Sequence, residues 1–322
     1  MYTISELQEL ISLEIRGKEY PRSPRELYEP ISYMMGLGGK RMRPALLLMG
    51  CNLYSDEITH AIRPAMAIEV FHNFTLLHDD IMDLAPLRRG KQTVHEKWNT
   101  SVAILSGDVM LVEAYKLLME VDPSLLPVVL GIFNQTAVEV CEGQQTDMNF
   151  ETQEQVSVAD YLEMIRLKTS VLLGAALKIG ALLGGADDRE ASLLYDFGVN
   201  MGLAFQLQDD ILDVYGDPEK FGKQVGGDIL ANKKTFLLIR ARELAQGDDA
   251  AELDRWLTSA DPAGKVAAVT ALFDRIGVRE LAREQMESFA RQAFESLDRL
   301  SVPADRKELL LQFAGQILVR ES

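Results

Sequence analysis

The sequence predicts an all-α protein. Apolar residues recur at helical spacing through most of its 322 positions, alternating strand patterns are scarce, and the breakers between periodic stretches are short. In chain order, Ile68, Phe71, Phe74, Thr75, Leu76 and Leu77 form a largely apolar stretch that runs into an acidic cluster. Met110, Leu111, Ala114, Tyr115, Leu117 and Leu118 follow at i, i+3, i+4 intervals, and so do Phe197, Met201, Ala204, Phe205 and Leu207. Breaks fall at Pro21-Arg22-Ser23-Pro24, Gly184-Gly185-Ala186-Asp187, Gly216-Asp217-Pro218 and Gly247-Asp248-Asp249. None is long enough to be a flexible linker. One domain over residues 1–322, a bundle of roughly a dozen helices, is the simplest organisation.

The composition is that of a globular protein, 47% hydrophobic and 25% charged, with a net charge of −16. Such an acidic chain is a poor partner for nucleic acid, whose phosphates need a basic surface. Any anionic ligand must be held by locally concentrated Lys and Arg, or by a metal ion bridging carboxylates to it. Cys51 and Cys141 have no metal-ligand spacing, and a reduced compartment fits them. The first residues carry Glu6, Glu9 and Glu14 with no basic leader, so no signal peptide is expected. The most apolar run, Val171 to Leu183, is interrupted by Lys178 and is too short to span a bilayer. A cytoplasmic protein without a transmembrane segment is the expectation.

One short motif occurs twice. His78-Asp79-Asp80-Ile81-Met82-Asp83 is echoed by Gln208-Asp209-Asp210-Ile211-Leu212-Asp213, each after an apolar helical stretch. On a helix, positions i, i+1 and i+4 fall within an arc of about 100°, where three carboxylates repel one another. Mg²⁺ removes that repulsion, because it takes hard oxygen ligands and shares its shell with phosphate oxygens. A single cluster is equally well read as a solvated acidic face; two clusters on different helices suggest a shared metal-diphosphate cavity.

Basic residues lie between and around the two copies. Gly38-Gly39-Lys40-Arg41-Met42-Arg43-Pro44 puts three cations after a glycine pair, a candidate phosphate clamp that lacks the Walker A signature. Arg88-Arg89 follows Asp83, Lys168-Thr169 opens the apolar run to Leu183, and Lys223, Asp228 and Lys233 follow the second acidic cluster. Taken alone, each also reads as an ordinary basic turn or polar loop. His72 lies seven residues before Asp79, which brings it near the acidic face after two turns; without such neighbours it would be a core histidine.

In this order the motifs resemble those of the trans-isoprenyl diphosphate synthases, the polyprenyl synthetase family that includes farnesyl and geranylgeranyl diphosphate synthases. The match runs from about Gly38 to about Lys233 and includes Gly143-Gln144-Gln145-Thr146-Asp147 and Phe205-Gln206-Leu207-Gln208-Asp209-Asp210. The resemblance implies the isoprenoid synthase fold, with helices around a central active-site cavity, and usually a homodimer. It implies a Mg²⁺-dependent condensation of an allylic diphosphate (dimethylallyl, geranyl or farnesyl) with isopentenyl diphosphate. Asp79 and Asp83, supported by Asp80, would bind two Mg²⁺; Asp209, helped by Asp210, Asp213 and Asp228, would bind a third. Arg88, Lys168, Lys223 and Lys233 would hold the allylic diphosphate. Lys40, Arg43, His72 and Arg89 would hold isopentenyl diphosphate, and Thr169 and Gln206 would sit near the forming carbocation.

In that family, bulk before the first aspartate motif sets the pocket floor. Phe74 lies five residues before Asp79, Thr75 four and Phe71 eight, and the motif has no insertion. That pattern resembles C20 enzymes, with C15 as the alternative product. The C-terminal Leu318-Val319-Arg320-Glu321-Ser322 departs from the family in carrying one Arg where many members have several basic residues. Four rivals remain: a class I terpene cyclase, a head-to-head condensing enzyme of the squalene synthase kind, a non-catalytic regulatory subunit, and an acidic ion-binding bundle. The second Asp-Asp-x-x-Asp and the separate Lys40/Arg43 clamp disfavour the cyclase, and both intact motifs disfavour the regulatory subunit.

Overall fold

Local capping chemistry sets several helix boundaries in the computed structural model, which describes residues 2–217 and 225–318. Helix α1 (Ile4–Gly17) opens on a reciprocal box in which the Thr3 hydroxyl accepts from the Glu6 amide and the Glu6 carboxylate accepts from the Thr3 amide. There follow α2 (Arg25–Gly36), α3 (Met42–Asn52), α4 (Ile62–Met82), the short α5 (Val94–Lys97), α6 (Thr100–Leu118), α7 (Leu126–Thr152) and α8 (Val158–Ile165). Helix α8 begins with a second reciprocal box between Ser157 and Asp160. The apolar run forms α9 (Val171–Leu183), and the second acidic motif ends α10 (Asp188–Tyr215). The remainder comprises α11 (Gly227–Leu230), α12 (Phe236–Leu244), α13 (Asp248–Leu257), α14 (Pro262–Ile276), α15 (Val278–Asp298) and α16 (Ala304–Leu318). The fold class is all-α, as the periodicity predicts.

One element departs from that prediction. Leu87–Arg88 (β1) and Lys91–Gln92 (β2) pair antiparallel around Arg89 and Gly90, whose φ angles are +54° and +73°. Two successive positive φ values define the tight hairpin turn whose twist suits paired strands. With two residues per strand there is no alternation for a sequence pattern to reveal.

The chain divides into two compact units. The first takes the chain through Thr136, with Leu172–Tyr195 and Leu300–Leu310. Its centre is α4, where Ala65, Met66, Ala67, Ile68, Val70 and Phe71 are all buried. A helix buried on nearly every side has neighbours all round, and α4 packs extensively against α6. Helices α3 and α9 approach backbone to backbone. A Cβ on Gly50 would stand 2.6 Å from the Leu177 carbonyl oxygen, and one on Gly180 would stand 2.8 Å from the Leu47 carbonyl carbon.

The second unit takes Ala137–Val171, Asp196–Arg299 and the chain from Leu311. Its core joins Phe150, Tyr161, Leu207, Leu237 and Phe273. The helical spacing read for Phe197, Met201, Ala204 and Leu207 puts all four in the interior. Phe205, read in the same stretch, is only partly buried.

The close approach at Gly180 is testable. Gly180→Ala forces a methyl against backbone, and overpacking of this kind costs about 1–3 kcal/mol. Gly315, inside α16, has nothing within 4 Å of its would-be Cβ, so Gly315→Ala should stabilise by about 0.5–1 kcal/mol. Urea midpoints of the two variants are expected to move in opposite directions.

Candidate functional site

In the first unit, α4 ends in the first acidic motif. Asp79 and Asp80 lie in its last turn, and Asp83 forms the C-cap, with its amide donating to the Asp79 carbonyl at 2.9 Å. The three carboxylates do not share one exposed face. Asp80 turns inward and is 2% exposed. The Arg88 Nε lies 2.8 Å from each Asp80 carboxylate oxygen, and Arg88 Nη2 reaches Asp79 Oδ2 at 3.3 Å. Burial raises the Asp80 carboxyl above its ordinary range, against the pull of Arg88. Burial opposes the charge of Arg88 too, but Asp80, Asp79 and Asp83 outweigh it and raise its pKa.

The hairpin turn sends the neighbouring arginine elsewhere. The Arg89 guanidinium donates to the Gly38 carbonyl, and a Cβ on Gly39 would lie 2.7 Å from its Nη2. The glycine pair therefore makes room for Arg89. Of the three cations in the glycine-led segment, Arg41 does not join a clamp. It has φ +47°, is buried, pairs with Glu69 and donates to the Met35 carbonyl at 2.7 Å. Glu69 also accepts from Asn73 Nδ2 at 3.0 Å. Lys40 is exposed.

Arg43 Nη1 lies 3.2 Å from His72 Nε2. A guanidinium only donates, so this nitrogen of His72 is the acceptor and the ring proton belongs on Nδ1. Burial first, then Arg43, Arg89, Arg88 and Arg41, push the His72 pKa well below its ordinary value, and the ring is neutral. Burial and Arg89 lower the Arg43 pKa to about 10, with Glu69 acting the other way. The buried Arg43 Nε has no hydrogen-bond partner among the described residues. A concentration of positive charge that disfavours one more proton, with a donor left over, is an anion-binding environment.

Below this cluster α4 contributes to an aromatic group. The Phe71 ring centre lies 5.7 Å from that of Phe74 and meets Phe133 of α7 edge-on at 5.1 Å, and Phe133 meets Tyr115 of α6 at 5.2 Å. The Thr75 hydroxyl is turned back to the His72 carbonyl at 2.8 Å. Phe133 and Tyr115 lie on other helices, so no spacing rule ties them to Phe74.

In the second unit, α8 leads into a π turn, Arg166–Ser170, that carries Lys168 and Thr169. Such one-turn widenings interrupt the i→i−4 ladder and recur at functional sites. Lys168 Nζ meets Asp147 Oδ2 at 2.6 Å. A Cβ on Gly143 would lie 2.7 Å from the Lys168 Cα, so the Gly143-to-Asp147 segment of α7 fits only a glycine there.

On α10, Asp210 is 3% exposed. It accepts from the phenol of Tyr161 and from Gln206 Nε2, the latter at 3.3 Å. Burial pushes its carboxyl up to about 7, with Asp228 adding to the rise and Tyr161, Lys233 and Gln206 opposing it. Asp213 Oδ2 accepts the Asp228 amide at 2.9 Å, which ties the start of α11 to the acidic motif. The Lys233 amide donates to the Asp228 carbonyl at 2.9 Å. Buried Lys265 secures the same loop through Asn232 Oδ1 at 2.6 Å. Asp209 occupies the turn of α10 beside Asp210. Lys223 lies outside the described residues, as does Arg320.

No group of three His, Cys, Asp or Glu side chains among the described residues is already gathered to hold a metal ion. The available donors are carboxylate oxygens, which suit Mg²⁺, and that ion characteristically completes its shell with water and substrate phosphate. The donor set fits a metal recruited together with an anionic ligand.

The sequence profile of the polyprenyl synthetase family matches residues 24–275. The chain belongs to that family. The resemblance read between Gly38 and Lys233 therefore holds, and with it the isoprenoid synthase fold. A geranylgeranyl diphosphate synthase of Methanosarcina mazei is 38% identical over 92% of this chain and 91% of its own. A short chain isoprenyl diphosphate synthase of Methanothermobacter thermautotrophicus is 36% identical over 100% of this chain and 98% of its own. A crystal structure of a geranylgeranyl pyrophosphate synthase superposes with a TM-score of 0.95 at 45% identity, covering 100% of both chains.

This member of the polyprenyl synthetase family thus holds residues beside the site that its sequence did not single out, Tyr161 and Glu69, and Glu69 turns Arg41 from a candidate clamp residue into a buried structural pair. Two measurements check the electrostatics. Arg41→Met leaves Glu69 buried without its partner and should cost about 3–5 kcal/mol in urea unfolding, part of which Glu69→Leu in the same chain restores. His72 has a lowered folded pKa, so its contribution to stability is constant above the unfolded value of about 6.5. It falls as pH drops below that, because the unfolded chain takes the proton first. His72→Gln should flatten that part of the stability profile between about pH 6.5 and 5.

Proposed function

We propose that the protein is a Mg²⁺-dependent prenyltransferase that joins an allylic diphosphate to isopentenyl diphosphate and releases a short all-trans product, geranylgeranyl diphosphate. The observation that carries this reading is the arginine cluster around neutral His72, where the Arg43 guanidinium meets a ring nitrogen and not a carboxylate. A protein that handles one diphosphate has no need of it; a condensation of two does. Family membership and the two full-length relatives support the same reaction.

In this reading Asp79 and Asp83 would hold two Mg²⁺ with Asp80 in support, and Asp209 a third with Asp210, Asp213 and Asp228. When bound, Mg²⁺ supplies Lewis-acid neutralisation of diphosphate charge. Asp80 and Asp210 are buried and already held by Arg88 and by Tyr161 and Gln206, which suits supports better than direct donors. Lys168, Arg88 and Lys233, with Lys223, take the charge of the departing diphosphate. Lys40, Arg43, His72 and Arg89 fix isopentenyl diphosphate so that its double bond meets the allylic carbon in line. Thr169 and Gln206 face the carbocation, apolar helix surfaces keep water from it, and the released diphosphate takes the proton. Phe74, with Phe71 and Thr75, limits the tail, and farnesyl diphosphate is the shorter alternative.

The whole chain acts as one synthase domain. A homodimer completes the picture, supported by Ile104, Leu105, Val112 and Met119, which are exposed on or at the end of α6. A cytoplasmic location accords with two unpaired cysteines. No helix among the described residues is long and apolar enough to cross a membrane.

Purified protein given Mg²⁺, isopentenyl diphosphate and each allylic primer in turn should yield a C20 alcohol after dephosphorylation, seen by mass spectrometry. No elongation from any primer by folded protein would overturn the reading. Phe74→Ala should lengthen the product by at least one isoprene unit; unchanged length would remove Phe74 from that role.

A further inference from the structure

We infer that Tyr161 is a positioning residue for the second acidic motif, acting through Asp210 on the amide of Gln206. Nothing in the sequence marks it: it is one aromatic residue on an amphipathic helix. In the structure it is 2% exposed, yet its phenol does not merely fill space. It donates to Asp210 Oδ2, while Gln206 Nε2 donates to Oδ1 of the same carboxylate at 3.3 Å.

Three consequences follow from that chain of donors. Asp210, itself 3% exposed, cannot stay an acceptor in the interior without them, and a buried carboxylate bonded on both oxygens has one orientation. Gln206 must present its NH₂ to Asp210, which leaves the amide oxygen as the end available to positive charge. Tyr161 also belongs to α8, whose start is fixed by the Ser157–Asp160 box and whose end leads into the π turn bearing Lys168 and Thr169. One phenol–carboxylate bond thus ties the segment carrying Lys168 to the helix carrying Asp209, Asp210 and Asp213. Both partners are buried, so water has little access to replace the contact.

The inference rests on the prenyltransferase reading, and the test separates the two. Wild-type protein is first assayed with Mg²⁺ and both diphosphates; inactivity there sinks the reaction and leaves Tyr161 to be judged by binding alone. Binding is read as the rise in melting temperature of metal-free protein on adding Mg²⁺ with inorganic diphosphate. Tyr161→Phe keeps the ring and removes the donor. Hydrogen bonds to charged groups are worth enough that kcat should fall roughly tenfold to a hundredfold. The Mg²⁺ needed for half of the melting-temperature rise should increase, while KM for isopentenyl diphosphate stays within about twofold, since a lost transition-state contact lowers kcat alone. Asp210→Asn should show the same pattern, and the double variant should lose no more than the worse single one. A Tyr161→Phe protein that melts lower but keeps wild-type kcat and Mg²⁺ dependence would make Tyr161 a packing residue and overturn the inference. So would unaltered kcat and Mg²⁺ dependence in Asp210→Asn, a test that stands even if the Phe variant fails to fold.

Discussion

A carboxylate taken out of water must be given donors, and that requirement organises much of this molecule. Each acidic motif sends its middle aspartate inward, and each receives a different answer. Asp80 meets the Nε of Arg88 with both oxygens. Asp210 meets a phenol and an amide, neither of them charged. The first arrangement keeps a full countercharge; the second does not, and burial there drives the carboxyl up to about 7. The outer aspartates of each motif are then set by an anchored neighbour.

The same rule shapes the cationic side. Arg41 is paired inside with Glu69, while burial first and neighbouring arginines second lower the pKa values of Arg43 and Arg89. Burial, reinforced by the same arginines, keeps His72 without its proton. An acidic chain of net charge −16 thereby gathers Arg43 and Arg89 around His72 without an overall basic surface.

The class of fold and the motifs were legible in the sequence because they depend on short-range spacing. Helical periodicity in α4, α6 and α10 needs only residues within two turns of each other, and paired Asp-Asp-x-x-Asp clusters are visible in a single line of text. What was illegible depends on which residues meet across helices. Arg41 reads as one of three equal cations until Glu69, twenty-eight positions away, is seen to bury it. Tyr161 reads as core until Asp210 is found against its hydroxyl. Three aspartates read as one helical face, yet the helix ends before Asp83 and Asp80 turns in. The hairpin at Arg88 and Arg89 is too short for any periodic signal, although its turn sends adjacent arginines to different partners, Asp79 and Asp80 for one and the Gly38 carbonyl for the other.

In the proposed site the carboxylates need metal to accept a diphosphate, whereas the arginine cluster needs none. Calorimetric titration of the purified protein with inorganic diphosphate, with and without Mg²⁺, tests it directly. The account predicts metal-independent binding that Arg43→Met abolishes, and a further binding event that appears only with Mg²⁺ and survives that substitution. A single event, indifferent to Mg²⁺ or lost altogether in Arg43→Met, would contradict it.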